Sequence, residues 1–151
     1  MFYFLHEDFD ALTIQIQEIM KAMKETGRQM GESCSGGETF HDNAPYEEAV
    51  RNQGLLSTRL RALVSVRNEA SIVAPNPSND TVSIGKTVTV QDALTRDVST
   101  FRIGSYMTLT DETAASYNSP IGRLLMGARI GEIRKGKIAG KERQLLVQEI
   151  Q

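Results

Sequence analysis

The sequence predicts an α+β protein, in which an N-terminal antiparallel coiled-coil hairpin precedes a small β-sheet domain with one helix. Two stretches of helical periodicity flank a loop rich in helix breakers, and alternating apolar residues follow a proline-containing segment. The predicted limits are residues 1–74 for the hairpin, with its tip at about 34–45, then a linker at 75–80 and a second domain at 81–151. A chain of 151 residues is long enough for two small domains.

The first helix is predicted from an apolar seam whose steps of three and four residues are typical of a coiled coil. The members of the seam are Phe9, Leu12, Ile16, Ile19, Met23, Thr26 and Met30. Asp8 or Asp10 is a candidate cap at its start. The helix is expected to end in residues 31–37, where glycine and serine are poor helix formers.

The second helix is expected to begin just after the tip. Asp42 or Asn43 suits its N-cap, and Pro45 fits the first turn, where a missing N–H is no loss. Its seam consists of Tyr46, Ala49, Gln53, Leu56, Leu60, Leu63, Ala70 and Val73. Because neither helix can bury its stripe alone, the two are expected to pair antiparallel.

The second half of the chain reads as a sheet of four or five strands with one helix. Its apolar positions alternate in two runs, namely Val82, Ile84, Val88 and Val90, then Phe101, Ile103, Met107 and Leu109. Ser119 is the expected cap of a short helix that begins at Pro120 and buries Ile121, Leu124 and Leu125. Two last strands, around Ile133 and at 143–150, are joined by a turn near Ala139-Gly140.

Composition narrows the function classes. Seventeen basic and 19 acidic residues give a formal net charge of −2, so any contact with a polyanion has to be local. The single cysteine, Cys34, allows no internal disulfide and fits a reducing cytosol. No apolar run approaches the roughly 20 residues that span a bilayer, and the N-terminus lacks a secretory signal. We therefore expect a cytoplasmic protein that does not bind membranes.

Several motifs resemble those of the GreA/GreB family of bacterial transcript cleavage factors. In the hairpin they are Asp-Asn-Ala-Pro-Tyr at 42–46, then Glu47, Ala49, Gln-Gly-Leu at 53–55 and Arg-Leu-Arg at 59–61. In the second half they are residues 82–90 and the more specific Asn-Ser-Pro-Ile-Gly-Arg-Leu-Leu-Met-Gly at 118–127. The match covers nearly the whole chain in the family's order. It implies an FKBP-like fold for the second domain.

The resemblance also implies a function. Such a factor binds RNA polymerase, inserts its coiled-coil tip into the secondary channel, and stimulates cleavage of backtracked nascent RNA at the 3′ end. Tip carboxylates help to hold a second Mg²⁺ shared with the polymerase active site, which agrees with the preference of this ion for hard oxygen ligands. The protein itself is then no enzyme, has no cofactor or stable metal of its own, and is expected to be a monomer.

The site residues follow from the family's tip pattern, Asp-x-x-Glu-Asn-Ala-Glu-Tyr, aligned on Asn43-Ala44. Asp42 takes the glutamate position, and Glu38, one residue before the aspartate position, is the candidate second carboxylate. The supporting tip residues are Thr39, Phe40, His41, Asn43 and Tyr46, and the polymerase-binding residues are Ser119, Pro120 and Ile121. Thr39 at the aspartate position and Pro45 at the last glutamate depart from the pattern. A Gre-like regulator that occupies the channel without cleavage is therefore the alternative.

The same sequence allows other interpretations. Cys34, Glu38, His41 and Asp42 include zinc-ligand types, but their spacing matches no strong zinc signature. An FKBP-like domain suggests a prolyl isomerase, for which the sequence has few aromatics, and a hairpin can serve as a plain interaction module. Basic residues on the helices suit either RNA and polymerase contacts or solvated surface pairs. They are Lys21, Lys24, Arg28, Arg51, Arg59, Arg61 and Arg67.

Overall fold

The computed structural model describes residues 1–34 and 44–151. The helices are α1 (His6–Cys34), α2 (Ala44–Asn68) and α3 (Pro120–Leu125). The strands are β1 (Phe2–Phe4), β2 (Ala70–Ile72), β3 (Thr87–Asp92), β4 (Val98–Gly104), β5 (Ala115–Ser116), β6 (Ile133–Ile138) and β7 (Lys141–Ile150). The predicted class, a helical hairpin followed by a β-sheet domain with one helix, is confirmed. Within the described ranges, no helix is both long and apolar enough to cross a membrane.

Contacts between residues divide the chain into two units. One is Asp10–Glu69, and the other combines Met1–Phe9 with Ala70–Gln151. The division thus groups the first nine residues with the C-terminal part of the chain. The domain limits inferred from the sequence remain a prediction.

In the unit Asp10–Glu69, α1 and α2 run antiparallel. Arg67 near the end of α2 donates from Nε to Thr13 Oγ1 near the start of α1, at 3.3 Å. The seam predicted on α1 is confirmed, because Leu12, Ile16, Ile19 and Thr26 are buried and Met23 and Met30 are half-buried. On α2 the seam is weaker, with Ala49 and Leu63 buried and Tyr46, Gln53, Leu56 and Leu60 half-buried.

The second helix ends sooner than the sequence pattern predicted. Ala70 and Val73 were assigned to its seam, but α2 stops at Asn68 and Ala70–Ile72 form β2. This strand pairs in parallel with β1, from Phe2↔Ala70 to Phe4↔Ile72, and Val73 N donates to Phe4 O at 2.8 Å. The helical assignment was wrong because the N-terminus supplies a strand partner some 70 residues away, and three-residue strands carry no periodicity of their own.

The main sheet has the strand order β5-β4-β3-β7-β6. It is antiparallel except for the short β4–β5 pair, and the register between β3 and β7 shifts at Thr89/Val90. The core lies against this sheet and contains Val82, Val88, Val90, Ile103, Leu125, Ala128, Leu145, Val147 and Ile150. The predicted runs were too long. Val82 and Ile84 precede β3, and Met107 and Leu109 follow the end of β4.

Asp8 has a different role from the predicted helix cap. Since α1 already begins at His6, Asp8 lies inside its first turn, where it is only 3% exposed. Its Oδ2 accepts from Ser105 Oγ at 2.5 Å, and its Oδ1 accepts from the backbone N–H groups of Leu109 and Thr110 and from Thr110 Oγ1 at 2.9–3.0 Å. Asp8 therefore ties the chain's first residues to the segment that follows β4.

The carboxylate of Asp92 accepts hydrogen bonds in the turn between β3 and β4. These bonds lead us to expect that the stability of the protein depends on pH. The Asp92 carboxylate accepts from Leu94 N, Thr95 N and Arg143 Nε, at 2.8–3.2 Å. The two backbone donors, followed by the arginine, lower the pKa of Asp92 below its ordinary value. A carboxyl with a lowered folded-state pKa stabilises the fold above its unfolded-state pKa of about 3.9, and that stability is lost as the pH falls through the folded-state pKa.

We expect Asp92→Asn to be less stable than the wild type at about pH 7, with the difference shrinking as the pH falls below the unfolded-state pKa of about 3.9. Urea unfolding midpoints over this range measure it. Hydrogen bonds also lower the pKa values of Asp111 and Glu132, so these two groups add their own pH dependence to the stability. Because both are present in the variant and in the wild type, their contribution cancels when the two proteins are compared at the same pH. A difference that stays constant into the acid range would contradict the role given to the Asp92 charge.

Candidate functional site

The predicted tip residues Glu38, Thr39, Phe40, His41, Asp42 and Asn43 lie outside the described residues. Their assignment as catalytic and supporting groups remains a prediction. The structure does describe the two helical ends that flank them, since α1 extends to Cys34 and α2 begins at Ala44. Pro45 lies in the first turn of α2, as expected, and Tyr46 is half-buried in the same turn.

The helical ends next to the tip are separated by a polar groove of about 310 Å³. Gln29 and Glu32 line it from α1, while Glu48 and Asn52 line it from α2. Oxygen ligands are therefore present, but among residues 1–34 and 44–151 no three His, Cys, Asp or Glu side chains are placed together to hold a metal. Glu38 and Asp42, the candidate Mg²⁺ ligands, lie outside these ranges.

Two of the basic residues on the hairpin have identified partners within the protein. Arg28 donates to Glu25 at 2.5 Å and also pairs with Glu32, one helical turn away. The hydrogen bond from Arg28 lowers the pKa of Glu25, and the same carboxylate raises the pKa of Arg28. The side chains are more than half exposed, so the pairs add little stability. Arg28 and Arg67 thus form pairs on the protein's own surface, which is one of the two roles that the sequence suggests for the basic residues.

The predicted polymerase-binding segment is built around the start of α3. Ser119 caps the helix as predicted, with its Oγ accepting from Gly122 N at 3.1 Å and donating to Ser116 O at 2.7 Å. Pro120 occupies the first helical position, where its fixed φ suits the helix. The bond to Ser116 ties the start of α3 to the end of β5.

The three predicted binding residues differ in exposure. Pro120 is exposed, whereas Ser119 is half-buried by its capping bonds and Ile121 packs partly buried against the core. Sequence reasoning missed the exposed pair beside them, in which Arg123 donates from Nε and Nη2 to Asn118 Oδ1 at 3.1 and 2.8 Å. The signal available in the sequence was the spacing of Asn118 and Arg123, which are five residues apart on either side of the predicted helix start.

A cavity of about 300 Å³ adjoins this segment at Tyr117. Its walls are mainly apolar and include Tyr3, Val73, Ile84, Tyr117 and Met126. Tyr3 meets Tyr117 edge to face at a ring distance of 5.9 Å, and its backbone N–H donates to the Tyr117 hydroxyl. Tyr117, three residues before Pro120 in the chain, therefore forms part of the wall of an apolar recess.

Comparison with known proteins finds relatives of this chain. Residues 76–151 match the family model described as "Transcription elongation factor, GreA/GreB, C-term". The chain is 28% identical to the transcription elongation factor GreA of Thermotoga neapolitana, over 95% of this chain and 93% of the relative. It is 31% identical to the GreA of Syntrophobacter fumaroxidans, over 83% and 82% of the two chains.

Among solved structures, the chain is similar to GreA factor homolog 1 of Thermus thermophilus. The identity is 19%, the TM-score is 0.45, and the match covers 99% of this chain and 97% of the other. The family model alone spans half of the chain, and the Syntrophobacter relative exceeds 30% identity over most of it. This protein belongs to the GreA/GreB family of transcription elongation factors.

Proposed function

We propose that this protein binds RNA polymerase, inserts the tip of its hairpin into the secondary channel, and stimulates cleavage of backtracked nascent RNA. The observation that carries the proposal is the presence of an acidic residue, Asp42, two residues before the start of α2 in a chain of this family. In an antiparallel pair of helices, a residue just before the second helix belongs to the connection between the two helices. The reacting RNA and the remaining metal ligands would belong to the polymerase.

The chemistry assigned to the tip is metal-assisted phosphodiester cleavage. Mg²⁺ commonly takes one or two protein carboxylates and completes its shell with water and phosphate oxygens, and it stabilises charge on the attacking or leaving oxygen. Asp42 supplies one carboxylate, and Glu38 is the candidate for the second. Both belong to this chain, whose part is to bring negative charge and hard oxygen ligands to a centre held by its partner.

A second contact with the polymerase is proposed at the start of α3. Pro120 and the Asn118–Arg123 pair provide the exposed surface, and the Ser119 cap holds that surface in place. Because Ile121 packs against the core, its part in binding would be to position Pro120.

The alternative is a factor that occupies the channel without promoting cleavage. It is favoured by Thr39, whose hydroxyl stands where the family pattern has an anionic ligand, and by Pro45, which replaces the last glutamate. Under this alternative the protein would compete with other channel-binding factors and slow the polymerase.

Backtracked polymerase complexes with end-labelled RNA and Mg²⁺ test both proposals. We expect the wild type to release shortened RNA and Asp42→Ala to slow this release at least tenfold, since the loss of a group that only orients a metal ligand already costs roughly 10- to 100-fold. Glu38→Ala tests the second carboxylate. Glu47→Ala is the matched control, since it removes an exposed carboxylate from the first turn of α2 and should leave the rate unchanged.

The outcomes separate the proposals. Intact RNA with the wild type, together with measured binding to the polymerase, would support channel occupation without cleavage. Failure to bind the core polymerase at all would contradict both. Equal rates for Asp42→Ala and the wild type would remove Asp42 from the catalytic role.

A further inference from the structure

Strand β6 lies at one edge of the five-stranded sheet. It pairs with β7 on one side only, in the register Ile133↔Leu146 to Ile138↔Lys141, and no described strand lies on its other side. An open edge exposes backbone donors and acceptors that another extended chain can use.

The turn between β6 and β7 reveals which backbone groups face this open edge. Ala139 and Gly140 both have positive φ, 53° and 79°, as in a two-residue hairpin turn. The flanking residues Ile138 and Lys141 are then a hydrogen-bonded pair, and such pairs alternate along an antiparallel ladder. Ile133, Lys135 and Lys137 therefore point their N–H and C=O groups away from β7.

The side chains of the same three residues are exposed, on the sheet face opposite to the core. Arg134 on the other face pairs with Glu132 at 2.9 Å, whereas no ion pair joins Lys135 or Lys137 to any carboxylate of the described residues. Glu142 stands across from Lys137 in the register without forming one. Each lysine charge is thus available beside an unpaired N–H and C=O.

The charge around this edge is opposite in sign to that of the whole protein. Residues 129–143 contain six basic and two acidic residues, and Asp92 pairs with Arg143, so the local net charge is +3 in a chain whose formal net charge is −2. This local excess attracts an acidic partner, although the protein as a whole does not.

We propose that the β6 edge, Ile133–Ile138, is a docking site for an extended acidic segment of a partner protein, which adds to the sheet as a sixth strand. Its backbone would hydrogen-bond to Ile133, Lys135 and Lys137. Acidic side chains at every second position of the added strand would lie beside the two lysines on one face, and cross-strand pairs of opposite charge stabilise a sheet. The proposal does not depend on polymerase binding.

A second copy of this chain fits the edge poorly. Two β6 strands paired antiparallel would bring the lysines of one strand beside those of the other, and like charges in facing positions are destabilising. A nucleic acid would satisfy the lysines but would leave the unpaired backbone groups without strand partners. An acidic peptide satisfies both.

The experiment uses the full chain and a fluorescein-labelled peptide of alternating glutamate and valine, six residues long, titrated by fluorescence anisotropy at low salt. We expect saturable binding that Lys135→Glu with Lys137→Glu weakens at least tenfold. The matched control is Lys21→Glu with Lys24→Glu, which makes the same change in net charge on exposed positions of α1 and should bind as the wild type does. No saturable binding by the wild type would overturn the proposal.

Backbone pairing is tested separately from charge. Amide hydrogen exchange measured by NMR should slow on peptide binding at Ile133, Lys135 and Lys137, and change less at Arg134 and Gly136, whose N–H groups already face β7. Lys135→Pro should bind more weakly than Lys135→Ala, because both remove the charge and only proline removes the outward N–H, a change that edge strands tolerate. Binding without slowed exchange, or equal binding of a six-nucleotide oligothymidylate, would overturn strand addition in favour of a general attraction to polyanions.

Discussion

Asp8→Ala is expected to destabilise the unit formed by Met1–Phe9 and Ala70–Gln151 by about 3 kcal/mol, because one buried donor and three part-buried donors lose their acceptor at once. The Asp8 carboxylate accepts from Ser105 Oγ, from the backbone N–H groups of Leu109 and Thr110, and from Thr110 Oγ1. Ser105 Oγ in turn accepts from Leu5 N at 2.8 Å. No alanine atom can replace these bonds, and water has little access to a position that is 3% exposed.

Asp8→Asn separates the loss of the acceptor from the loss of charge. Its amide oxygen can still accept from Leu109 and Thr110, while its NH₂ group faces Ser105 Oγ, which can act as acceptor. We therefore expect a smaller loss, about 1 kcal/mol. Urea denaturation of the two variants measures this order, with Glu112→Ala as a control at an exposed carboxylate. Equal stabilities of Asp8→Ala and the wild type would show that the hydrogen bonds contribute nothing net.

Gly122→Ala is expected to cost about 3 kcal/mol, at the upper end of the range for overpacking. A Cβ atom on Gly122 would lie 2.0 Å from Ser116 O and 2.9 Å from the Tyr117 backbone. These neighbours are main-chain atoms held by strand pairing and by the Ser119 cap, so they cannot move aside as a flexible side chain would. The start of α3 has to shift away from β5, which disturbs the surface that carries Pro120.

The matched control for this substitution is Gly54→Ala in α2, where nothing lies within 4 Å of the added Cβ. Alanine has a higher helix propensity than glycine, so this variant is expected to be as stable as the wild type or more stable by up to about 1 kcal/mol. Thermal unfolding of both variants gives the comparison. If Gly122→Ala unfolds at the same temperature as the wild type, the backbone moves away from Ser116 without a loss of folding free energy, and the expected overpacking is contradicted.

Much of the fold was predictable because its signals are local. The seam from Leu12 to Thr26 follows from periodicity, and the start of α3 follows from a serine followed by proline, whose capping and φ preferences act within one turn. The turn at Ala139-Gly140 was predicted for the same reason. The family was also identified from short motifs, and the comparisons bear it out.

The errors occurred where distant segments decide. Ala70 continues the helical pattern in the sequence, yet it forms a parallel strand because it pairs with β1. Asp8 has the sequence position of a helix cap, but its carboxylate is buried and accepts hydrogen bonds from residues 105–110. Of the candidate site, the sequence specified the Ser119 cap, the helix start at Pro120 and the burial of Ile121 against the core, but not the hydrogen bonds between Arg123 and Asn118. The catalytic roles of Asp42 and Glu38 stay predictions.

By itself, then, the sequence determined the two helices of the hairpin, most of the strands, the Ser119 cap of α3 and the family, since propensity, periodicity and short motifs act over a few residues. Only the tertiary structure decided the β1–β2 pairing, the burial of Asp8, the close approach at Gly122 and the open edge of β6. Each of these depends on which segments far apart in the chain become neighbours. Such contacts produce no periodic pattern of residues in either segment, so the sequence alone does not reveal them.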